Sequence, residues 1–344
     1  MPVDASNALL RWYAVDKRRL PWRAEAGERP VPYRIWLSEI MLQQTTVAHA
    51  RRYFEAFTQR WPSVEALAGA DDGEVMSAWA GLGYYARARN LLACARTVAA
   101  AHGGHFPSEE AELRKLPGIG RYTAAAVAAI AFGRRAVVVD SNVERVVARL
   151  FAVAEPLPGA RETIYALADS LTPRTGSGDF AQAMMDLGSA ICTPRAPDCG
   201  RCPLASACRA RAQGAPEIYP VKQPRKERPR RRGFAYWLEH DGHVLLVRRP
   251  ARGLLGGMLA LPSGRWDEAP ERGDGAPAPA DWREAGAIDH VFTHFALELS
   301  LLCASVGERR ADGTWWPIER IGEAGLPTVF AKAAARGAAW KDVA

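Results

Sequence analysis

The sequence lacks any long apolar segment. No stretch approaches the ~18 consecutive apolar residues that a membrane-spanning helix requires, and the opening MPVDASNALLRWYAVDKRRL contains no apolar secretory core. The composition is that of a globular chain, and 344 residues are enough for two domains with a core in each. We therefore expect a cytoplasmic protein that makes no contact with a membrane.

Cysteine is scarce outside one short segment. Four of the six cysteines lie within seventeen residues, separated by six, two and five residues: Cys192, Cys199, Cys202 and Cys208. In a cytoplasmic chain this clustering favours a metal site over disulfides. Four thiolates can bind either one tetrahedral zinc ion or a cubane of four irons, and the residues alone leave both open. The two remaining cysteines, Cys94 and Cys303, lie in apolar surroundings typical of a core.

Excess positive charge is absent from most of the chain. The formal net charge is +7, and the segment 221–232 (VKQPRKERPRRR) supplies nearly all of it with seven Lys or Arg and one Glu. The rest of the chain is almost neutral. The segment is typical of a solvated linker between domains, and the alternative is a secondary contact to a polyanion.

Strand patterns are missing from the first two thirds of the chain. Before residue 222 the apolar residues recur at helical spacing, so this part should be almost entirely helical. Beyond it, FAYWLEHDGHVLLVRR alternates around an Asp-Gly pair, which predicts a β-hairpin. We expect a mixed α+β second domain.

A glycine-rich turn stands at the start of the Ala-rich helix around Tyr122. Pro117, Gly118 and Gly120 interrupt helical geometry immediately before that helix. Glycines let the backbone approach another surface, and the free N–H groups of a helix start favour an anion such as phosphate. LPGIG is therefore a helix-hairpin-helix signature, with Gly118 and Gly120 as candidate DNA-phosphate contacts.

Two carboxylates are candidates for chemistry. Glu39 is the single acid in the apolar helix YRIWLSEIMLQQ, where a buried carboxyl would keep its proton and could act as a general acid. The alternative is a Glu39 that faces solvent. Asp140 ends an apolar run and opens a helix, so it is either a simple N-cap or an ionised group that faces developing positive charge. These two roles of Asp140 are compatible.

The turn GLGYY, which contains Leu82 and Tyr84, separates two predicted helices. Its bulky residues between glycines could insert into a base stack, as wedge residues do in proteins that distort DNA. The alternative is a turn that only closes two helices onto a core.

Together these motifs resemble the endonuclease III superfamily of DNA repair glycosylases. LPGIG with a downstream VD, WLSEIMLQQT, GLGYY and the cysteine spacing are most similar to its adenine DNA glycosylases, the MutY type, over nearly the whole chain. The resemblance implies a [4Fe–4S] cluster on the four cysteines, with a structural and DNA-facing role. It also implies a nucleoid-associated enzyme that binds duplex DNA containing adenine opposite 8-oxoguanine or guanine.

The resemblance assigns roles to the catalytic candidates. Glu39 matches the acid that protonates the adenine ring at N7, and Asp140 matches the carboxylate that stabilises the oxocarbenium ion. Tyr122 and Asn142 match residues that position the two carboxylates, and Arg23 matches a residue that lines the adenine pocket. Bifunctional relatives carry a catalytic lysine at the position of Tyr122, so the resemblance implies hydrolysis without a Schiff base.

Further positions match residues that contact DNA. Gln44 and Tyr84 match residues that wedge into the duplex. In the C-terminal half, Phe292, Thr293 and His294 match a loop that touches 8-oxoguanine, although Thr293 stands where a serine is usual. On spacing alone, His294 is an ordinary strand histidine. The resemblance implies a nudix-like fold here, but the sequence lacks the glutamate-rich helix that a nudix hydrolase needs for magnesium.

The expected organisation has three parts. Residues 1–221 form the helical glycosylase domain, with a helix-hairpin-helix module at 34–137 and a cluster module from 1–33 with 138–221. Residues 222–232 form the linker, and 233–344 form the nudix-like domain. Two other functions remain open, a pyrimidine-damage glycosylase with lyase activity and a noncatalytic iron–sulfur DNA-binding protein. We expect a monomer.

Overall fold

The computed structural model of the protein describes residues 2–25, 27–223, 228–250, 253–292, 294–309 and 311–340. Thr293 lies outside the described residues. The chain divides into two compact units, Met1–Pro224 and Arg225–Ala344. Among the described residues, no helix has the length and apolar character needed to cross a membrane.

The first unit is helical, and no strand occurs in its described residues. Its helices are α1 (Pro2–Asp16), α2 (Pro32–Met41), α3 (Val47–Arg60), α4 (Val64–Ala68), α5 (Asp72–Ala78), α6 (Tyr85–His102), α7 (Glu110–Leu113), α8 (Arg121–Phe132), α9 (Ser141–Phe151), α10 (Arg161–Leu171), α11 (Ser177–Ala190) and α12 (Arg209–Ala212). A short 3₁₀ helix follows at Pro216–Ile218. The absence of strand periodicity before residue 222 correctly predicted this class of fold.

Two separate apolar cores hold the first unit together. The first gathers the apolar faces of α2 to α8 around large buried side chains such as Trp36, Phe54 and Trp79. The second joins α1 to α9, α10 and α11 through residues such as Leu9, Val147 and Leu187. The chain passes from the first core to the second at Val138 and Val139, directly before Asp140. Asp140 therefore lies where the two cores meet.

The second unit is a mixed sheet with one long helix. Its strands are β1 (Arg230–His240), β2 (His243–Arg248), β3 (Leu259–Ala260), β4 (Arg283–Val291), β5 (Ala296–Ser305) and β6 (Thr314–Pro317), followed by a 3₁₀ helix (Ile318–Glu323) and α13 (Thr328–Ala338). The order is β3-β2-β1-β5-β4, with β6 paired to β2. β1 and β5 run parallel, and the other pairs are antiparallel.

The predicted hairpin is present, and the reason is local. Asp241 and Gly242 both adopt positive φ, as a tight two-residue turn between β1 and β2 requires. Residues on both faces of the central strand β1 are buried, and Trp237 packs so closely on α13 that a side chain at Gly337 would overlap its ring. β4 was not predicted, because its sequence REAGAIDHV contains two acids and a glycine and leaves about half its positions exposed.

Candidate active site

Glu39 lies on the last turn of α2, among the buried residues of that helix. Its side chain is 6% exposed, so the solvent-facing alternative is wrong. The carboxyl Oε2 accepts a hydrogen bond from the Tyr122 hydroxyl of α8 at 2.7 Å. Burial and, to a smaller extent, the Asp140 charge raise the pKa of Glu39, while the Tyr122 hydrogen bond and the Arg23 charge lower it, and the net result is a pKa raised from 4.5 to about 7. The carboxyl can therefore hold a proton near neutral pH.

Asp140 is the N-cap of α9, as the sequence suggested. Its Oδ1 accepts from the backbone N–H of Val143 at 2.7 Å, and its Oδ2 accepts from the Asn142 side-chain amide at 2.8 Å. These two hydrogen bonds fix the orientation of the carboxylate at the start of α9. The side chain is half-buried, so it remains accessible to a ligand.

Asn142 is held in turn by residues that sequence reasoning missed. Its Oδ1 accepts from Arg145 at 2.9 Å, and Arg145 also donates to the carbonyls of Gly188 and Cys192. Gly188 has no room for a side chain, since a Cβ there would lie 2.6 Å from that of Asn142. No local pattern indicates these contacts, because they join α9 to the distant end of α11.

The four cysteines line one cavity beside α9. Buried Arg149 donates to the Sγ of Cys192 at 3.3 Å and to the carbonyls of Thr193, Pro194 and Tyr219. All the lining cysteines are free thiols: Cys192, Cys199, Cys202 and Cys208. Among the described residues, no three His, Cys, Asp or Glu side chains converge in a way that could hold a single metal ion. One helix, α9, therefore carries the Asp140 cap at its start and contacts the cysteine cavity further along.

Arg23 lies near Glu39 on the irregular segment after α1. Its guanidinium binds Asp186 of α11 with both Nη atoms, at 2.7 and 2.8 Å. Arg23 also lines a cleft of about 700 Å³ together with Arg18 and Gln182, neither of which was predicted. Glu39 and Asp140 do not line this cleft, but Ile35, one helical turn before Glu39 on the same face of α2, does.

The hairpin turn has the shape that its glycines predicted. Gly118 has a φ of +72°, and a Cβ there would lie 2.6 Å from that of Asn90. Gly120 is the N-cap of α8 and provides no side-chain cap, so the first N–H groups of this helix have no side-chain acceptor there. Gly118 and Gly120 are both exposed, while Ile119 between them is buried. The turn can accept an anion from outside.

Two exposed turns lie close together at the end of α2. Gln44 and Tyr84 both have positive φ, at 59° and 50°, which is uncommon for residues other than glycine. Arg87 joins the turns, because it donates to the carbonyls of Ile40 and Gln43 on one side and of Leu82 on the other. The Tyr84 ring is 55% exposed. Both turns therefore combine an exposed side chain with strained backbone.

Leu82 differs from its neighbour Tyr84. Its side chain is 5% exposed and packs in the first core, close to where the Trp79 indole donates to the carbonyl of Gly83. This corrects the expectation that Leu82 presents its side chain to DNA. Glycines flank Leu82 on both sides. The turn therefore places Leu82 in the core between two helices and leaves the ring of Tyr84 exposed.

In the second unit, the turn between β4 and β5 holds Phe292 and His294. Phe292 is half-buried, and its ring packs against His290, Phe295 and Trp266. Its N–H donates to the carbonyl of Phe295 at 2.9 Å and closes the turn. His294 is exposed at the tip, so it is a turn residue and not a strand residue.

Comparison with known sequences agrees with both parts of the fold. Residues 37–173 match the profile of the HhH-GPD superfamily of base excision DNA repair proteins. Residues 233–336 match the profile of the NUDIX domain. The first match contains Glu39, the hairpin, Tyr122 and Asp140.

Curated relatives resemble the chain over most of its length. The adenine DNA glycosylase of Homo sapiens is 36% identical over 85% of this chain, and the match covers 65% of the human protein. The adenine DNA glycosylase of Rattus norvegicus is 34% identical over 94% of this chain and 76% of the rat protein. The chain thus spans slightly less than two thirds of the human protein. A solved thermostable thymine-DNA glycosylase, 32% identical, superposes with a TM-score of 0.55 over 60% of this chain and 95% of its own.

The burial of Glu39 has a consequence for stability. Its folded pKa of about 7 exceeds the ordinary 4.5, so the folded state holds a proton that the unfolded state loses. Stability should therefore fall as pH rises through this interval. We expect the free energy of unfolding of Glu39→Gln, relative to that of the parent protein, to rise by about 2 to 3 kcal/mol from pH 5 to pH 8. Denaturant unfolding at both pH values measures this, with the surface variant Glu55→Gln as control. An equal difference at both pH values would contradict it.

Proposed function

The chain belongs to the adenine DNA glycosylase family, and we propose that it removes adenine opposite 8-oxoguanine or guanine from duplex DNA in base excision repair. The observation that carries the proposal is the buried Glu39 carboxyl, hydrogen-bonded to Tyr122 and close enough to Asp140 for its charge to raise the pKa of Glu39. One acid is suited to donate a proton, and the other is suited to face positive charge.

The reaction divides between the two acids. Protonated Glu39 gives its proton to N7 of adenine, so the bond between C1′ and N9 breaks and its electron pair leaves with the base. Ionised Asp140 stabilises the resulting oxocarbenium ion and forms a transient bond to C1′. Water then attacks C1′, releases Asp140 and gives its proton back to Glu39. Asn142 fixes the Asp140 carboxylate through the 2.8 Å amide contact.

Tyr122 argues against one alternative chemistry at this site. A glycosylase with lyase activity needs an amine that forms a Schiff base with the sugar. Tyr122 has a hydroxyl in hydrogen-bond contact with Glu39 and no amine. The expected product is therefore an intact strand that carries an abasic sugar.

DNA binding requires the target nucleotide to leave the stack, at a cost of a few kcal/mol. The exposed glycines Gly118 and Gly120 offer backbone N–H groups to a phosphate, and Gln44 and Tyr84 enter the duplex. The positive φ of both wedge residues supports this role, because backbone strain concentrates at functional turns. Arg23 and the cleft beside Glu39 receive the purine.

The second unit reads the base opposite adenine. Phe292 and His294 lie on the β4–β5 turn, where His294 is exposed and Phe292 is anchored by three aromatic neighbours. The exposed imidazole of His294 can form hydrogen bonds, and the packed Phe292 ring holds the turn in place, which suits the recognition of one modified nucleobase. The acidic residues between β3 and β4 lie in irregular backbone, so the described part of this unit lacks a glutamate-rich helix that could hold magnesium. We assign it to recognition of 8-oxoguanine by a protein that acts as a monomer.

The cysteines Cys192, Cys199, Cys202 and Cys208 hold a [4Fe–4S] cluster. All four line one cavity, which is the arrangement that a cluster held by four thiolates requires. Buried Arg149, which donates to the Sγ of Cys192, would compensate part of the negative charge of these thiolates. When bound, the cluster crosslinks the chain around α9, and no step of base removal passes through it.

Base release by variants tests the two acids. We expect Glu39→Gln and Asp140→Asn to lower single-turnover release by at least about 100-fold and to retain duplex binding, because each removes one role in the transition state. The assay uses adenine opposite 8-oxoguanine, opposite guanine and opposite thymine, and thymine opposite guanine. Parent protein should act fastest opposite 8-oxoguanine, and strand breaks should need added alkali. Full activity in either variant, preference for thymine, or breaks without alkali would refute the proposal.

The pH dependence of release identifies the proton donor. Glu39 must be protonated, so we expect the single-turnover rate to fall tenfold per pH unit above about pH 7. The Tyr122 hydroxyl favours ionised Glu39, and Tyr122→Phe should move this limb to higher pH by about one unit. Tyr165→Phe, which removes a hydroxyl of a neighbouring tyrosine on α10, is the control. A limb that stays in place in Tyr122→Phe would exclude Glu39 as its source.

Metal analysis tests the cluster. Parent protein should contain about four iron atoms and four sulfides per chain, and Cys202→Ser should lose most of both. Cys303→Ala is the control, because this cysteine lies in the core of the second unit and outside the cavity. One zinc ion per chain and no iron would contradict the assignment.

A further inference from the structure

Asp186 is the most deeply buried carboxylate of the first unit's described residues, at 0% exposure. It lies on α11, and both oxygens accept two hydrogen bonds. Oδ1 accepts from the side chains of Arg18 and Arg23, and Oδ2 accepts from the backbone N–H of Arg18 and from Arg23. Burial alone would raise the pKa of Asp186, but the bonds and charges of Arg23 and Arg18 outweigh burial and lower it. Asp186 is therefore an ionised anchor.

This anchor fixes the direction of Arg23. The Arg23 side chain is 9% exposed, and its Nη1 also donates to the carbonyl of Arg18 at 3.1 Å. The two parallel bonds to one carboxylate leave the guanidinium little freedom to rotate. Arg18 is more exposed, at 31%, and is held to the same carboxylate through Nε.

Arg23 is the cation that acts on Glu39. The groups whose charge or hydrogen bond shifts the pKa of Glu39 are Tyr122 on α8, Asp140 before α9, and Arg23. Arg87 on α6 is occupied by backbone carbonyls at the end of α2. Without Asp186, Arg23 would be a buried cation without its partner. Glu25, Glu28 and Asp179 line its cleft, and so does Ile35, which lies one helical turn before Glu39 on the same face of α2. The charge of Arg23 already lowers the pKa of Glu39, so Glu39 is a carboxyl with which the released guanidinium can pair.

We propose that Asp186 is a positioning residue that holds Arg23 away from Glu39 and so preserves Glu39 as a proton donor. The inference rests on the proposed function, in which Glu39 is the acid. An arginine paired with Glu39 would favour the ionised carboxylate, which has no proton to give. Release of Arg23 would therefore weaken the enzyme most at neutral and higher pH.

The test is the pH dependence of single-turnover adenine release in charge-balanced double variants. Arg18→Gln with Asp186→Asn leaves Arg23 unrestrained, and we expect its alkaline limb to move to lower pH by at least about one unit. Arg23→Gln with Asp186→Asn loses the same carboxylate and one arginine, yet its limb should lie at or slightly above the parental position. Both variants remove one charge of each sign, so neither leaves more net buried charge than the parent protein.

The single variant Asp186→Asn should move the limb in the same direction as the first double variant. Circular dichroism and iron content report whether each variant is folded. A purely structural role for Asp186 would lower the plateau rate of both double variants and leave both limbs at the parental pH. That result, or a shift that is equal in both double variants, would overturn the inference.

The Tyr122→Phe measurement separates this inference from the function on which it rests. If Tyr122→Phe does not move the limb, the assignment of Glu39 as the acid fails, and the inference fails with it. If Tyr122→Phe moves the limb and Arg18→Gln with Asp186→Asn does not, only the role of Asp186 is wrong.

Discussion

The proposed chemistry of the first unit depends on the hydrogen bond between Tyr122 and buried Glu39. It joins α2 to α8 across the first core, and it is the sole polar contact of Glu39 to another side chain among those the structure describes. An acid in such a place has a raised pKa because water does not reach its charged form. A core made only of apolar side chains would be more stable. The buried Glu39 therefore lowers stability at neutral pH but holds a proton next to the cleft. Active sites commonly reduce the stability of a fold in this way.

The two carboxylates of the first unit are held by different cores. Glu39 and Tyr122 belong to the first core, while Asp140 stands where the chain enters the second. Relative movement of the cores would separate the two acids. Within the second core, Arg145 fixes Asn142 and through it Asp140, since it joins Asn142 to the carbonyls of Gly188 and Cys192. The cysteine cavity and the acid site are consequently supported by the same short helix, α9.

Much of this arrangement could be predicted from local sequence. The first unit is helical as its sequence pattern predicted, the Asp-Gly turn forms, and Asp140 caps its helix, because propensities and capping act over a few residues. Asp186 could not be predicted as an anchor, since its arginine partners are far away in sequence. Leu82 was misread because a turn sequence does not indicate which of its side chains faces inward. β4 was missed since charged residues on an exposed face conceal its pairing with β5.

The parallel pairing of β1 with β5 has a consequence for biosynthesis. β1 is the first strand of its sheet to leave the ribosome, yet its longest pairing is with a strand near the end of the chain. Until β5 emerges, one edge of the apolar strand β1 is exposed to other chains, and such edges promote aggregation. The arginines at the start of β1, Arg230 to Arg232, put like charges on that edge and discourage its association with another copy during translation.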